Sequence, residues 1–130
     1  MVQSEGPDLS IVILNYNVKE LLLRCLDSIK KFQISNIKYQ IILVDNASTD
    51  GSVEAVKEKY GDPSTSLRVD LIENKSNLGF SAGNNAAISK IKAPVVLFLN
   101  PDTEIVDGAI QKSLEYLLGN PDIGALTCRV

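Results

Sequence analysis

The sequence predicts an α/β fold whose mostly parallel sheet is covered by helices on both faces. Short, unbroken runs of apolar residues recur along the chain, which is typical of strands that are buried on both sides. Between these runs the apolar residues fall three and four positions apart, as they do in amphipathic helices. Strand and helix patterns alternate with short connections, and this order favours parallel strands that are joined by helical crossovers.

Four strands and four helices are predicted in alternation, and a fifth strand is predicted at the end of the chain. The strands cover residues 9–14, 39–44, 67–72, 95–100 and 123–130, and the helices cover residues 19–32, 53–60, 81–90 and 106–118. The third strand alternates polar and apolar residues, which indicates a position near a sheet edge. The fourth strand is apolar throughout before Asn100, so we expect it at the centre of the sheet. Residues 1–8 are expected to form a loose leader.

Length and composition limit the function classes that are open to this chain. Its 130 residues are enough for one domain with one core, and its net charge of −3 does not favour nucleic acid as a partner. No apolar run approaches the ~20 residues of a membrane span and there is no signal peptide, so we expect a cytoplasmic location. Cys25 and Cys128 lie in apolar patterns and are expected to be buried thiols. The absence of histidine excludes His-based triads and His metal sites.

Polar side chains follow the first, second and fourth strands at the point where each strand ends. The carboxyl ends of parallel strands lie on one side of the sheet, where ligands of open α/β sheets bind, so we expect these side chains to share one crevice. Tyr16 could stack on a nucleobase, and Asp45 could accept a hydrogen bond from a ring N–H of a pyrimidine. Each has a structural alternative: Tyr16 could only pack, Asp45 could cap a turn, and Asn17 could cap the first helix. The side chains are Asn15, Tyr16, Asn17, Asp45, Asn46, Asn100 and Asp102.

Two further segments could contact a ligand. Residues 48–52 open the second helix, whose N–H groups suit an anion, although the polar side chains there could equally serve as helix caps. Residues 77–85 contain two glycines, which allow a ligand to approach the backbone closely. Gly79 and Gly83 could equally serve close packing of a helix on the sheet. No glycine follows the first strand, so the dinucleotide fingerprint is absent and a nicotinamide or flavin enzyme is not expected.

Asp102 is a candidate ligand for a divalent metal ion. Mg²⁺ and Mn²⁺ prefer oxygen ligands, and Mg²⁺ often binds through one or two carboxylates together with substrate phosphates. Asn100 lies two residues earlier, so a diphosphate would have to supply the remaining ligands. The alternative is that Asp102 serves only as the cap of a turn and the following helix.

Four motifs occur in order along the chain. They are L-S-I-V-I-L-N-Y-N, I-I-L-V-D-N-A-S-T-D-G-S, N-L-G-F-S-A-G-N-N and V-V-L-F-L-N-P-D-T. This order resembles the family 2 glycosyltransferases and, within them, the rhamnosyltransferase-like branch. The resemblance implies a Rossmann-like GT-A fold and inverting transfer of a sugar from a nucleotide-diphosphate donor to an acceptor hydroxyl. It further implies a dTDP- or UDP-sugar donor, a glycan or lipid-linked acceptor, and a role in polysaccharide or cell-surface glycan synthesis.

The same resemblance implies roles for individual residues. Asp45 would hold the pyrimidine ring, and Asp102 would bind the metal ion at the place where the family carries an Asp-x-Asp motif. The first Asp of that motif is Asn100 here, a substitution that is common in the rhamnosyltransferase-like branch. The implied nucleotide-sugar residues are Asn15, Tyr16, Asn17, Asp45, Asn46, Ser48, Asn77, Gly79, Phe80, Gly83, Asn84 and Asn100.

The catalytic base of the family lies in an acceptor half that would follow this sequence. We therefore expect residues 1–130 to be a single donor-binding domain, the front part of a longer glycosyltransferase, with no catalytic residue of its own. The longer protein could work at the inner face of the membrane. The main alternative is a non-catalytic nucleotide-binding or interaction module on the same fold, because a fold does not fix a function. A response-regulator-like domain or a nucleotidyltransferase would need acids or a basic glycine-rich loop after the first strand, and residues 15–19 offer neither.

Overall fold

The structure of the chain is a computed structural model that describes residues 5–32 and 36–128. The described part contains four strands and four α-helices in alternation. The strands are β1 (Leu9–Asn15), β2 (Tyr39–Asp45), β3 (Val69–Glu73) and β4 (Val95–Leu99). The helices are α1 (Lys19–Lys31), α2 (Ser52–Tyr60), α3 (Gly79–Asn85) and α4 (Ala109–Gly119), with a short 3₁₀ helix at Ile88–Lys90. The predicted α/β class is confirmed.

The four strands form one parallel sheet in the order β3-β2-β1-β4. Asn15 lies opposite Asp45 in the pairing of β1 with β2, and Ile13 lies opposite Leu99 in the pairing of β1 with β4. The carboxyl ends of these three strands therefore lie side by side, as the sequence predicts. The predicted edge position of the third strand is also confirmed.

The prediction of a central fourth strand is wrong. Within the described residues β4 forms an edge of the sheet, and β1 and β2 are the inner strands. The apolar run of β4 is only half-buried, and Phe98 is 58% exposed. Phe98 is exposed because α3 and the 3₁₀ helix are short and cover β1 and β2. The face of β4 that carries Phe98 therefore remains accessible to solvent.

The core occupies both faces of the sheet. On one face, Ile11 and Ile13 of β1 pack with the apolar side of α1 and with residues of α2 and α4. On the other face, Val12 packs with β2 and with Ala87, which follows α3. Helices therefore cover both faces, as predicted. The buried apolar residues of α1 are spaced three and four apart and include Cys25, which confirms that its thiol is buried; they are Leu22, Cys25, Leu26 and Ile29.

The predicted fifth strand is absent from the described residues. Residues 123–128 have no regular structure and are mostly exposed, and residues 129–130 lie outside the described part. A strand needs hydrogen-bonding partners for its backbone groups, and no other strand of the described part pairs with this segment. Cys128 is exposed for the same reason, so the prediction that it is buried is wrong.

Smaller differences concern the leader and two helix boundaries. Asp8 is not loose, because its carboxylate accepts a hydrogen bond of 2.9 Å from the Lys38 N–H; residues 1–4 lie outside the described part. The predicted helix 81–90 is divided into α3 and the 3₁₀ helix. Helix α4 begins three residues later than predicted, after Gly108, whose φ is +72°.

The longest helix of the described part has 13 residues, and none there is long and apolar enough to cross a membrane.

Candidate functional site

An open groove of about 410 Å³ lies at the carboxyl ends of β1, β2 and β4. Seven of the predicted site residues line it: Tyr16, Asn46, Asn77, Gly79, Phe80, Asn100 and Asp102. Four further lining residues are absent from the predicted set: Leu14, Val18, Leu21 and Pro101. The strand ends therefore form one crevice together with the loop before α3 and the start of α1.

Two aromatic rings border this groove. The Tyr16 side chain is 49% exposed and the Phe80 side chain is 67% exposed, so neither ring is a core residue. Leu14 and Leu21 add apolar surface to the groove. Exposed rings beside an apolar surface are suited to stacking against a flat ring of a ligand.

Asp45 lies behind the groove in a hydrogen-bonded network. The side chain is only 2% exposed. Its Oδ1 accepts hydrogen bonds from Asn15 Nδ2 at 2.8 Å and from Ser48 Oγ at 2.7 Å, and its Oδ2 accepts one from the Ser48 N–H at 2.8 Å. Asp45 therefore caps the turn after β2, which was its structural alternative. Within the described residues, the buried Asn15 Oδ1 has no hydrogen-bond partner.

Asn17 does not cap α1, which corrects that prediction. Its backbone has a φ of +50°, and its Oδ1 accepts a hydrogen bond of 2.7 Å from the Thr49 N–H. The first turn of α1 is capped by Asp50, whose Oδ2 accepts the Lys19 N–H at 2.8 Å, while its Oδ1 accepts the N–H and the hydroxyl of Ser52. Desolvation alone would raise the pKa of this exposed carboxyl group, but the hydrogen bonds outweigh it and lower the pKa of Asp50. Residues 48–52 do not line the groove.

Asn46 connects the end of β2 to the loop before α3. Its Nδ2 donates to Asn77 Oδ1 at 3.2 Å and to the Gly79 carbonyl at 3.1 Å. Its Oδ1 accepts a hydrogen bond of 2.9 Å from Asn74 Nδ2. Asn74 is a site residue that the sequence reasoning missed, although it belongs to the same Asn-rich loop. The side of the groove formed by this loop is thus fixed by one buried amide.

Gly83 and Asn84 support the groove from behind. A Cβ atom on Gly83 would lie 2.6 Å from Leu14 Cδ1 and 2.9 Å from Asn46 Nδ2. Gly83 therefore allows close packing of α3 on the sheet, which was the structural alternative for this residue. Asn84 is buried and donates a hydrogen bond of 3.0 Å to the Phe80 carbonyl. Gly79 does line the groove, and its φ of +78° is one that other residues adopt only with strain.

Asp102 is exposed at the lip of the groove. It lies in a turn in which the Thr103 N–H donates to the Asn100 carbonyl at 3.1 Å. Within residues 5–32 and 36–128 its carboxylate accepts no hydrogen bond, and α4 begins at Ala109, so the helix-cap alternative is wrong. No three His, Cys, Asp or Glu side chains of the described part form a cluster that could hold a metal ion. Asp102 and Asn100 therefore fit a divalent ion only if a bound ligand supplies most of the coordinating oxygen atoms.

Cys25 lies under the turn that carries Asp102. Burial, reinforced by the nearby carboxylates of Asp102 and Glu104, raises the pKa of the Cys25 thiol to about 12. The thiolate form is therefore absent near neutral pH, and we assign no nucleophilic role to this cysteine.

Residues 10–130 match the model of glycosyl transferase family 2. The chain belongs to this family. Its similarity to a teichoic acid poly(glycerol phosphate) polymerase from Staphylococcus epidermidis is 32% identity over 108 residues, which cover 82% of the chain and 14% of the polymerase. A poly(ribitol-phosphate) beta-glucosyltransferase from Bacillus spizizenii is 36% identical over 106 residues, which cover 78% of the chain and 16% of that enzyme.

Solved structures confirm the GT-A fold of this family 2 chain. A mannosyltransferase from Pyrobaculum calidifontis, solved in complex with GDP-Man and Mn²⁺, aligns with a TM-score of 0.83 at 25% identity over 97% of the chain. TarS from S. aureus, solved in complex with UDP-GlcNAc, aligns with a TM-score of 0.74 at 22% identity over 86% of the chain. The chain spans 36% and 31% of the lengths of these two structures. The resemblance to the family is confirmed, and membership of its rhamnosyltransferase-like branch stays a prediction.

Proposed function

We propose that this family 2 glycosyltransferase chain binds the nucleotide diphosphate of a sugar donor in the groove, with a Mg²⁺ or Mn²⁺ ion between Asp102 and the diphosphate. One observation carries the proposal. The described residues that line the groove include the carboxylate of Asp102 and no lysine or arginine, and no lysine or arginine of residues 5–32 and 36–128 forms an ion pair with that carboxylate. The site thus combines aromatic surface with a single negative charge.

Electrostatics explain why this combination points to a cation. A phosphate charge about 4 Å from the Asp102 carboxylate would be repelled by about 4 kcal/mol at the effective dielectric constant of a protein surface. A divalent ion between the two groups replaces this repulsion with two attractions, and it would stabilise the charge that develops on the diphosphate as the sugar leaves. Asn100 would contribute a second oxygen at the same lip of the groove.

The nucleoside would lie on the aromatic side of the groove. Stacking of a base on an aromatic side chain contributes about 1–3 kcal/mol, and the exposed rings of Tyr16 and Phe80 are available for it. Within the described residues Asp45 Oδ2 accepts a single hydrogen bond, which would leave one lone pair for the N–H of a pyrimidine ring; because Asp45 is only 2% exposed, that ring would have to reach past the groove lining. Asn15 and Ser48 would hold Asp45 in place, and the Asn17 N–H donates to Ser48 Oγ at 2.9 Å.

The finer assignment follows from the relatives and from the sequence motifs. The mannosyltransferase was solved with GDP-Man and Mn²⁺ and TarS with UDP-GlcNAc, which supports a nucleotide-sugar donor and a metal ion here. We propose inverting sugar transfer to a glycan or lipid-linked acceptor in the cytoplasm, with a dTDP- or UDP-sugar as donor. Asn100-Pro101-Asp102 favours the rhamnosyltransferase-like branch and hence dTDP. The acceptor hydroxyl needs a general base, and we assign none among the described residues.

Calorimetric titration of the chain with UDP, dTDP and GDP tests the proposal. Each titration is made with Mn²⁺ and again with a chelator. We expect one diphosphate to bind in a Mn²⁺-dependent manner, and we expect Asp102→Ala to remove most of the Mn²⁺-dependent gain, by roughly tenfold or more in affinity.

Asp122→Ala is the matched control, because Asp122 is an exposed carboxylate outside the groove, in the turn after α4. It should bind as the unchanged chain does. Absence of binding by a folded chain, or equal affinity with and without Mn²⁺, would contradict the proposal and would favour a non-catalytic module.

A further inference from the structure

Helix α1, whose first turn lines the groove, contacts the segment that carries Asp102 further along its length. Within two turns, three residues of α1 contact this segment. The Arg24 guanidinium pairs with the Glu104 carboxylate, Cys25 Sγ lies 3.9 Å from the Asn100 carbonyl oxygen, and Ser28 Oγ accepts the Ile105 N–H at 2.8 Å.

The bond to Ser28 is the strongest candidate for a specific role among these three contacts. The Arg24–Glu104 pair is exposed on both sides, and such pairs contribute little. The contact of Cys25 is a long, weak thiol hydrogen bond. Ser28 is only 8% exposed, and its hydroxyl also donates to the Cys25 carbonyl at 2.7 Å, so both hydrogen-bonding functions of Oγ are used in one fixed orientation.

The segment between the turn and α4 is held by the buried Ile105 side chain but has few backbone hydrogen bonds among the described residues. Residues 103–106 have no regular secondary structure. The Thr103 N–H donates a hydrogen bond to the Asn100 carbonyl. The next backbone hydrogen bond along the chain is donated by the Ala109 N–H to the Val106 carbonyl. The Ser28 bond therefore fixes the backbone three residues after Asp102, at a point where the described part of β4 and α4 offers packing contacts but no backbone hydrogen bond.

We propose that Ser28 is a positioning residue that holds the Asp102 carboxylate at the lip of the groove in the geometry that binds the metal–diphosphate. The proposal rests on the proposed function. Without the hydroxyl, the Ile105 N–H loses its partner and the segment gains freedom, so Asp102 must be ordered at the moment of binding. We expect Ser28→Ala to weaken Mn²⁺-dependent nucleotide affinity by roughly tenfold, as changes behind metal ligands do.

Ser10→Ala is the matched control. Ser10 is also a buried serine whose hydroxyl accepts a backbone N–H, that of Ala93 at 3.3 Å, and donates to a partner, Gln40 Oε1 at 2.9 Å. It lies near the other end of β1, away from the groove. Both variants lose a buried hydroxyl, so a purely structural role would give both the same behaviour.

The test compares two readouts in the two variants. The first is the ratio of nucleotide affinities with Mn²⁺ and with a chelator, measured by calorimetry with UDP, or with dTDP or GDP if that diphosphate binds the unchanged chain better. The second is hydrogen exchange of the backbone amides from Asp102 to Ile105 in the free protein. We expect Ser28→Ala to lower the ratio and speed the exchange, and Ser10→Ala to leave both unchanged. If Ser28→Ala does not fold, Ser28→Cys, which keeps the volume but accepts weakly, should show smaller changes in the same direction.

The two readouts separate failure of this inference from failure of the proposed function. If the unchanged chain shows the Mn²⁺-dependent gain and Ser28→Ala keeps it, or both serine variants lose it equally, the role of Ser28 is refuted and the proposed function stands. If the unchanged chain shows no such gain, the proposed function fails and the positioning role of Ser28 fails with it. Exchange at 102–105 then shows only whether Ser28 holds the segment.

Discussion

Replacing Gly83 with alanine should destabilise the domain and weaken ligand binding, although alanine is the better helix former. In the observed packing the new Cβ would lie 2.6 Å and 2.9 Å from the two Cδ atoms of Leu14 and 2.9 Å from Asn46 Nδ2. Leu14 could move only as a whole, because both of its methyl groups are too close. Asn46 is held by hydrogen bonds to Asn74, Asn77 and Gly79, so it cannot yield without releasing the loop before α3.

The size of the effect follows from two opposing contributions. Alanine in place of glycine favours a helix by about 1 kcal/mol. Overpacking of a tight contact costs about 1–3 kcal/mol. The net loss in the free energy of unfolding should therefore be about 1 kcal/mol, which lowers the melting temperature of a domain of this size by about 4 °C. Because both displaced side chains line the groove, nucleotide affinity should fall as well.

Thermal unfolding of Gly83→Ala and Gly119→Ala, together with nucleotide titration, measures this effect. Gly119 ends α4, and a Cβ there would have nothing within 4 Å, so Gly119→Ala should be neutral or slightly stabilising and should leave binding unchanged. A Gly83→Ala variant that unfolds at or above the temperature of the unchanged chain would refute the reasoning, since helix propensity would then outweigh the contact.

Two other predictions concern Asp50 and the cysteines. The pKa of Asp50 is lowered in the folded chain, so its carboxylate stabilises the fold fully above about pH 4 and loses this effect as pH falls through the lowered pKa. The difference in melting temperature between the unchanged chain and Asp50→Asn should therefore vanish in acid. A constant difference between about pH 3 and pH 6 would contradict it. Iodoacetamide should label the exposed Cys128 and leave the buried Cys25 unlabelled until the chain is denatured, as mass spectrometry of the peptides would show. Equal labelling rates in the native protein would show that Cys25 is accessible.

The sequence was sufficient to predict the four strands and four helices of the described part and the side of the sheet that carries the candidate site, because these depend on local patterns. Apolar runs and helical spacing are local, and parallel strands necessarily bring their carboxyl ends together. The position of β4 in the sheet was not predictable in this way. An apolar run indicates that a strand favours burial. Whether Phe98 is in fact buried depends on how far α3 extends over the sheet.

The division of the site residues into two groups was also beyond the sequence. Successive side chains of a strand point to opposite faces, so Leu14 lines the groove while Asn15 points to the network of Asp45; Tyr16, the residue after β1, also lines the groove. The role of Asp50 as the cap of α1 joins residues 31 positions apart, and no local motif indicates it. Cys128 was misjudged because apolar neighbours in the sequence do not provide a partner strand.

Paramagnetic broadening by Mn²⁺ in the amide spectrum of the isotope-labelled chain, recorded with a saturating nucleoside diphosphate, tests the central claim most directly. We predict that substoichiometric Mn²⁺ removes the signals of Asp102 and Thr103 first and then those of Gly79, while Gly124 beyond α4 is retained. Asp102→Asn should abolish this pattern. Broadening that is uniform, or that centres on a carboxylate outside the groove such as Asp62, would contradict the assignment of Asp102 as the metal ligand.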